Sequence, residues 1–526
     1  MPNIFHRYPV VFLALGVVVF SVFLWGCATG GNSAGNQSLI GLIKIAEQGD
    51  KETQYNLGTK YRKGHGVLKD YKEALKWYRK SAGQGYAEAQ FDFGVMYAKG
   101  EGVQKAPTEA FKWHLKAADQ GHIKAQYSVG WMYYTGFGTQ KNLKKAFQWC
   151  YKAAGQGDRK AQFNLGVMHA RGEGVVQNYE EAIRWYRKAA EKGHASAQYN
   201  LGVLYAEGNG ASRDYKEAMR WFRKAVDQGY SKAQYNLGWM YFRGKGVPRD
   251  YKKAIKWYHK AAEQGDANAQ SALGRMYTEG KGVSQNYNEA IKWYRKAVEK
   301  GDTKAQSNLG FMYEKGWGVS RSYEKAIKWY SKAAGQGESE AQYNLGVMYS
   351  KGQGVSRDYK EAIRWYRKAA GQGDVKALFG LGRMYFMGLG VSKNWKEAFD
   401  WNRKAAEKGY VKAQLVLAGM YTMGWGTRKN RKEAIKWCRK VAEQGSAEAQ
   451  HSLGLIYGEG EGVSQDNTLA YVWSSLAANQ GLEDAKKGRD IYKGKLTPQQ
   501  LAQAQKIVAK MQYEIEHHSK TSSPVK

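Results

Sequence analysis

Cysteine, proline and acidic residues are all scarce in this chain of 526 residues, and each scarcity excludes something. Three cysteines do not make a disulfide framework. Six prolines against 63 glycines exclude a proline-rich linker protein, so the glycines mark defined turns rather than slack chain. With 47 Asp and Glu against 82 Lys and Arg the formal charge is +35, which excludes an acidic or charge-balanced profile. The apolar run from Val10 to Trp25 has about 16 residues, where a membrane-spanning helix needs roughly 20. The histidines show no metal-ligand spacing, and no Ser/His/Asp or paired-carboxylate set stands apart from the rest of the pattern. No catalytic residue, metal ligand or cofactor is therefore expected, and the chain reads as a non-enzyme. At 43% apolar and 14% aromatic residues it is too rich in core-forming side chains to stay disordered.

What the sequence has in abundance is repetition. Trp77 recurs every 36 residues as Trp113, Trp149 and onward to Trp473, twelve times without an insertion. Ala74 to Ala470 keep the same period, as do the glycine pairs from Gly64 and Gly66 to Gly460 and Gly462. The column from Gly58 to Gly454 breaks only at Ala418. Within residues 87–122, Ala89, Phe93, Met96 and Tyr97 share one helical face. Gly100 ends that helix as a residue able to take positive φ. The second helix opens as in Asp70-Tyr71-Lys72-Glu73, where Asp70 caps the amides and Glu73 reaches back in a capping box. Its apolar face is Ala74, Trp77, Tyr78 and Ala82, and Gly85 terminates it. A mid-helix glycine such as Gly94 costs about 1 kcal/mol relative to alanine, so a Trp or Tyr column is expected to need the room. One hairpin cannot bury such a face alone. The fold expected is all-α, a right-handed superhelical solenoid of twelve 36-residue helix-turn-helix repeats over 51–482. Cys150 and Cys438, eight repeats apart, lie beyond the roughly 7 Å that a disulfide spans and should be free and buried.

The segments AQYNLGVMY, GxGV and (D/N)YxxAxxWYxKAAxxG closely resemble the Sel1-like repeat, a relative of the tetratricopeptide repeat, over about residues 43–482. The resemblance implies an α-solenoid that scaffolds protein complexes, in bacteria often at the envelope or a host interface, without catalysis. One branch of that family carries paired cysteines in every repeat and is linked to penicillin binding; those cysteines are missing here.

Leu24, Gly26 and Cys27, behind Arg7 and the apolar run, resemble a bacterial lipoprotein signal peptide over residues 1–26, although Trp25 is bulkier than that pattern shows. The resemblance implies cleavage, lipid on Cys27 and a membrane anchor through that lipid. Ala28 rather than Asp behind the cysteine implies the outer membrane, facing the periplasm or exposed at the surface. Residues 27–37 read as a flexible tether and 38–50 as an N-terminal half-repeat cap. Residues 483–516 read as C-terminal capping helices, with Thr497, Pro498 and Gln500 opening the last, and 517–526 as a disordered tail.

Positions fixed by packing repeat, whereas positions facing a partner need not. On the first helix, Asn164, Asn200, Asn236, Asn308 and Asn344 form a polar ladder, beside an irregular column holding Trp131, Trp239, Arg275, Phe311 and Arg383. These mark a partner-binding groove. At the turns, Phe137, Trp317, Leu389 and Trp425 replace polar residues, with Phe386, Met387 and Met423 nearby, and mark a docking edge. Lys72, Lys76 and Lys80 begin a basic stripe repeated along the second helices, suited to an anionic polymer. The function expected is a monomeric scaffold at the envelope that binds other proteins and assembles envelope or secretion components, without nucleic acid. The alternatives are a host-facing adhesion factor and a binder of anionic polysaccharide in export.

Overall fold

The computed structural model describes residues 32–522, with side chains from 39 to 517; Cys27 and the segment 1–26 lie outside the described residues. Among the described residues the chain forms 27 helices and no strand. It divides after Asp266 into two compact units. In the first, a helix over Asn32–Glu47 precedes six helical hairpins; in the second, six hairpins are followed by helices over Glu483–Lys493 and Pro498–Ser522. Helix A of a hairpin, such as Lys51–Lys63, packs on its own helix B, here Tyr71–Gly83, and helix B packs on the next helix A, Ala87–Lys99. Both ends of the described chain are more helical than the sequence suggested. The first helix takes in residues 32–37 of the expected tether because Leu39 and Ile43 anchor it against Ala46, Leu57 and Trp77. The last helix runs through 517–522 of the expected tail, with Tyr513 and His517 stacked one turn apart.

The caps follow the sequence in outline and depart from it in one bond. Gly64 ends helix A in the left-handed region at φ 74°, donating its amide to the Lys60 carbonyl at 2.8 Å. Asp70 accepts from the amides of Lys72 and Glu73 at the start of helix B. The capping box does not close, because the Asp70 amide is donated to the Tyr61 carbonyl of helix A at 3.0 Å, and Glu73 is left to pair with Lys76 at 3.3 Å. The same strap from helix B to the carbonyl near the end of helix A recurs from Ala106 and Tyr97 through Asp466 and Tyr457. At Thr497 the box does close, by reciprocal bonds with Gln500 at 3.0 and 3.3 Å. The second loop glycine serves a different need. Gly102 takes φ 73°, and a Cβ there would lie 2.6 Å from the Tyr71 carbonyl oxygen, so this loop rests on the first turn of the preceding helix B, as do those of Gly174 and Gly354.

Of the two aromatic columns expected against the mid-helix glycines it is tyrosine that meets them, at Gly58, Gly166, Gly238, Gly274, Gly310 and Gly346. At Gly310 a Cβ would sit 2.8 Å from the ring of Tyr330, a fully buried side chain whose hydroxyl donates to Glu314 at 2.9 Å. The tryptophans flank this contact instead. Six of the twelve are buried and six part-buried, and in eleven repeats the lysine three residues on lies over the indole at 4.1–5.6 Å. A buried glutamine completes the joint. Gln54 donates to the Ala46 carbonyl of the preceding helix at 2.8 Å and accepts from Gln84 at the end of its own helix B at 2.9 Å. The pattern repeats at Gln90, Gln342 and Gln450, so one side chain ties three successive helices together.

If helix A is held against a ring, Gly310→Ala should lower stability by about 1–3 kcal/mol through overpacking, despite better helix propensity. Gly419, also in a helix A but with nothing within 4 Å of its added Cβ, is the control; Gly419→Ala should be neutral or stabilising by up to about 1 kcal/mol. Urea midpoints of the two variants measure the difference.

Candidate functional site

In the first unit the helix A faces of the first four repeats enclose a cavity of about 550 Å³, within the range of ligand and side-chain pockets. Its walls include Phe91, Val95 and Ala98 from Ala87–Lys99 and Tyr127, Trp131 and Met132 from Ile123–Thr135. His114 of helix B forms another wall, and Phe137 reaches in from the loop, its ring 5.4 Å from that of Trp131. The cavity lies where two core columns depart from the pattern together. His114 and Cys150 stand where Tyr78, Tyr186 and Tyr258 stand in other repeats, and Ser128 where Asn164 and Asn200 stand. In the fourth repeat Tyr186 packs with Val167 and Ala170, and its hydroxyl lies beside Asn200. The counterparts in the second repeat, Val95 and Ala98, have no such ring over them and line the cavity instead.

The lining carries Arg62, Lys99, Lys124, Arg159 and Lys160 against Asp92 and Asp158. Both acids are engaged. Asp92 accepts from Arg62 at 2.9 Å and from the Tyr55 hydroxyl at 3.0 Å, and Asp158 caps the Ala161 amide at 2.7 Å. Arg62 is shared with Glu101 at 2.9 Å, whereas Lys124 and Lys160 are exposed. His114 is 4% exposed, and its Nδ1 has no hydrogen-bond partner. Burial, and secondly the charge of His122, lowers its pKa to about 4, so it is a neutral wall at pH 7.

The structure brings some of the sequence-picked residues together and separates others. Trp131 and Phe137, assigned to a groove and an edge, share the cavity. Phe311 and Trp317, assigned in the same way, meet edge to face at 5.3 Å in the second unit, where Trp317 also stacks on Tyr287 at 5.0 Å. Trp239 is part-buried against neighbouring hairpins. Asn164 is buried, and Asn200, Asn236, Asn308 and Asn344 are part-buried, so the ladder lies largely between helices. Arg275 pairs with Glu279 within its own helix at 4.0 Å, and Arg383 is exposed. At the edge, Phe386, Leu389 and Trp425 fold back over the hairpins, with Trp425 5.3 Å from Phe386 and 6.0 Å from Trp395. Met387 and Met423 stay open at 60% and 56%. On the helix B stripe, Lys76 is paired with Glu73, Lys80 covers Trp77, and Lys72 is exposed. Cys150 and Cys438 are free and buried, their thiols pushed up to about 12 and about 11, so neither is poised as a nucleophile. Among the described residues no three His, Cys, Asp or Glu converge on a metal position, and no helix is long and apolar enough to cross a membrane.

The residues that sequence reasoning missed are His114, Phe91, Arg62, Lys124 and Lys160. The signal for them was the break in the ring column at 114 and 150. His114 also gives a test of its burial. Below pH 6.5 the unfolded chain protonates this histidine while the folded chain does not until about pH 4, so stability falls as pH falls through that window. His114→Tyr should remove this share, on the order of 3 kcal/mol, from the difference in unfolding free energy between pH 7 and pH 4.

A family model described as the Sel1 repeat matches twelve consecutive segments, 51–86 through 447–482. A solved protective antigen of uropathogenic Escherichia coli strains, described as displaying an SLR fold, is 38% identical over 86% of this chain and 98% of its own, with a TM-score of 0.59. A Sel1 repeat protein from Oxalobacter formigenes is 32% identical over 64% of this chain and 98% of its own, with a TM-score of 0.49. No curated protein matches the chain. With twelve matched repeats filling most of its length, the chain belongs to the Sel1-repeat family, whose solenoids generally serve as scaffolds for protein–protein interaction.

Proposed function

We propose that this protein is a non-enzymatic scaffold held at the bacterial envelope by lipid on Cys27, binding a partner protein on the helix A face of its first four repeats and so assembling envelope or secretion components. The observation that carries the reading is the cavity at Trp131, Phe137 and His114, where rings that close the packing in other repeats are absent. Repeat packing leaves long continuous surfaces for partners, and an aromatic-walled pocket on such a surface supplies an anchor point. The tether rests on Leu24, Gly26 and Cys27, and Ala28 favours the outer membrane. The 38% identical relative, a protective antigen of a pathogen, supports a second reading in which the solenoid is displayed at the cell surface toward a host. Support for an anionic polysaccharide is weaker, since many basic stripe residues are committed to ion pairs or to covering tryptophan.

Three measurements test the reading. Cys27→Ser should abolish incorporation of labelled fatty acid and move the protein from the membrane to the soluble fraction; unchanged membrane retention would remove the lipid tether. A photo-crosslinking residue at position 131 should capture a defined envelope protein, and the same residue at position 216 on helix B should not. Equal capture at both positions would remove the helix A face. Added protease should digest the solenoid in intact cells if it is surface-displayed, and only after the outer membrane is opened if it faces the periplasm.

A further inference from the structure

We infer that the cavity in the first unit takes one large apolar side chain of a peptide whose neighbouring residues carry carboxylates. The inference rests on the scaffold reading above and specifies the chemistry of the partner.

The walls settle what enters. Phe91, Val95, Trp131, Met132 and Phe137 are apolar, and His114 is held neutral by burial. These apolar walls give the hydroxyls of a sugar ring no partners for the hydrogen bonds they would lose on entry, and the polar side chains of the lining other than Tyr127, Ser128 and His114, whose Nδ1 is unpartnered, are charged. A phenylalanine, tryptophan or leucine side chain would bury most of its surface there, as anchor residues do at protein interfaces.

The rim settles what flanks it. Lys124 and Lys160 stand exposed at the mouth, while Asp92 and Asp158 are occupied by Arg62, Tyr55 and the Ala161 amide. The field that a ligand meets is therefore positive, and carboxylates on either side of the anchor complement it. The position is built rather than incidental. A tyrosine at 114 would recreate the fourth repeat, with its ring over Val95 and Ala98 as Tyr186 lies with Val167 and Ala170, and its hydroxyl near Ser128 as that of Tyr186 is near Asn200. The second repeat keeps the valine and alanine of that arrangement but has an imidazole for the phenol ring and Ser128 for the asparagine.

The test uses the full chain in detergent and dye-labelled synthetic peptides read by fluorescence anisotropy. The first peptide has a central phenylalanine flanked by aspartates; its counterparts have alanine at the centre or lysine in the flanks. The acidic phenylalanine peptide should bind, and either change should weaken binding about tenfold or more, as should raising the salt to about 0.5 M. His114→Tyr, which puts a larger ring over Val95 and Ala98 and narrows the cavity, should weaken binding by a similar factor while the melting temperature holds or rises. Phe137→Ser, on the loop and outside the helices, provides the second variant and should also weaken binding. Lys124→Glu with Lys160→Glu should reverse the preference toward the lysine-flanked peptide. Equal binding of the alanine-centred peptide, unchanged binding by both His114→Tyr and Phe137→Ser, or preference of the unmodified chain for lysine flanks would overturn the inference. So would capture of vesicles of anionic phospholipid, or of alginate, that is sensitive to His114→Tyr when no peptide binds. If position 131 still crosslinks an envelope protein while the acidic peptide fails, the ligand chemistry falls and the scaffold stands; if neither occurs, both fall.

Discussion

Everything in each unit depends on how closely helix A approaches helix B. At the glycine column only a hydrogen fits beneath the facing ring, as Gly58 under Tyr78 and Gly310 under Tyr330 show. That approach fixes the spacing within a hairpin, and the loop glycine at Gly102 fixes how the next hairpin rests on it. Because the backbone geometry repeats, the ring sets the volume to be filled. Where the ring shrinks, the helices do not move in to compensate; the space goes elsewhere. At Ser474 it is taken up by the C-terminal cap, where Gly488 packs on Ser474 and Tyr492 closes against Gly458. At Asn402 the side-chain amide turns back to its own helix, donating to the Ala398 carbonyl at 2.8 Å. At Cys150 the thiol packs against Gly130, and at His114 the imidazole forms one wall of the cavity.

The charge of +35 looks at first like the dominant functional property, but much of it is bound up in the fold. The recurring lysine on helix B lies flat over an indole, where its stem shields apolar surface and its ammonium meets the ring face. The residue before it on the stripe pairs with a glutamate one turn back in many repeats, as Arg184 with Glu181 and Lys292 with Glu289. Exposed pairs of this kind contribute little stability, yet they remove the free charge that an anionic polymer would need. The cavity rim differs in having exposed lysines whose neighbouring acids are already engaged.

The sequence made the period, the hairpin and the glycine turns legible because each rests on local chemistry repeated twelve times. The sequence left open whether the tryptophan or the tyrosine column faces the glycines, and the structure gives that role to tyrosine, one residue on from tryptophan. Spacing alone does not separate adjacent residues on a helix when both are aromatic. The capping box at Glu73 looked complete because its residues are the right ones; a carbonyl nine residues earlier in the chain, that of Tyr61, takes the Asp70 amide. Gln54 and Gln84 carry the same problem further, since their bond crosses a hairpin and has no short-range signature. For the site, Trp131 and Phe137 were picked as irregular surface positions, and both are at the cavity. His114 was passed over because a substitution in a core column reads as noise when attention is on exposed ones.

A fully packed column gives every repeat the same surface, which offers no reason for a partner to choose one over another. Removing rings from two adjacent repeats gives up buried area. It also leaves the Nδ1 of His114 buried without a partner, which costs further stability. Neighbouring repeats supply stability enough to carry such a local defect, because a buried glutamine ties a hairpin to the one before it, as Gln90 does by donating to the Ala82 carbonyl at 3.2 Å. A solenoid can therefore hold a pocket where its own rules lapse, and the lapse itself distinguishes that place from the regular surface around it.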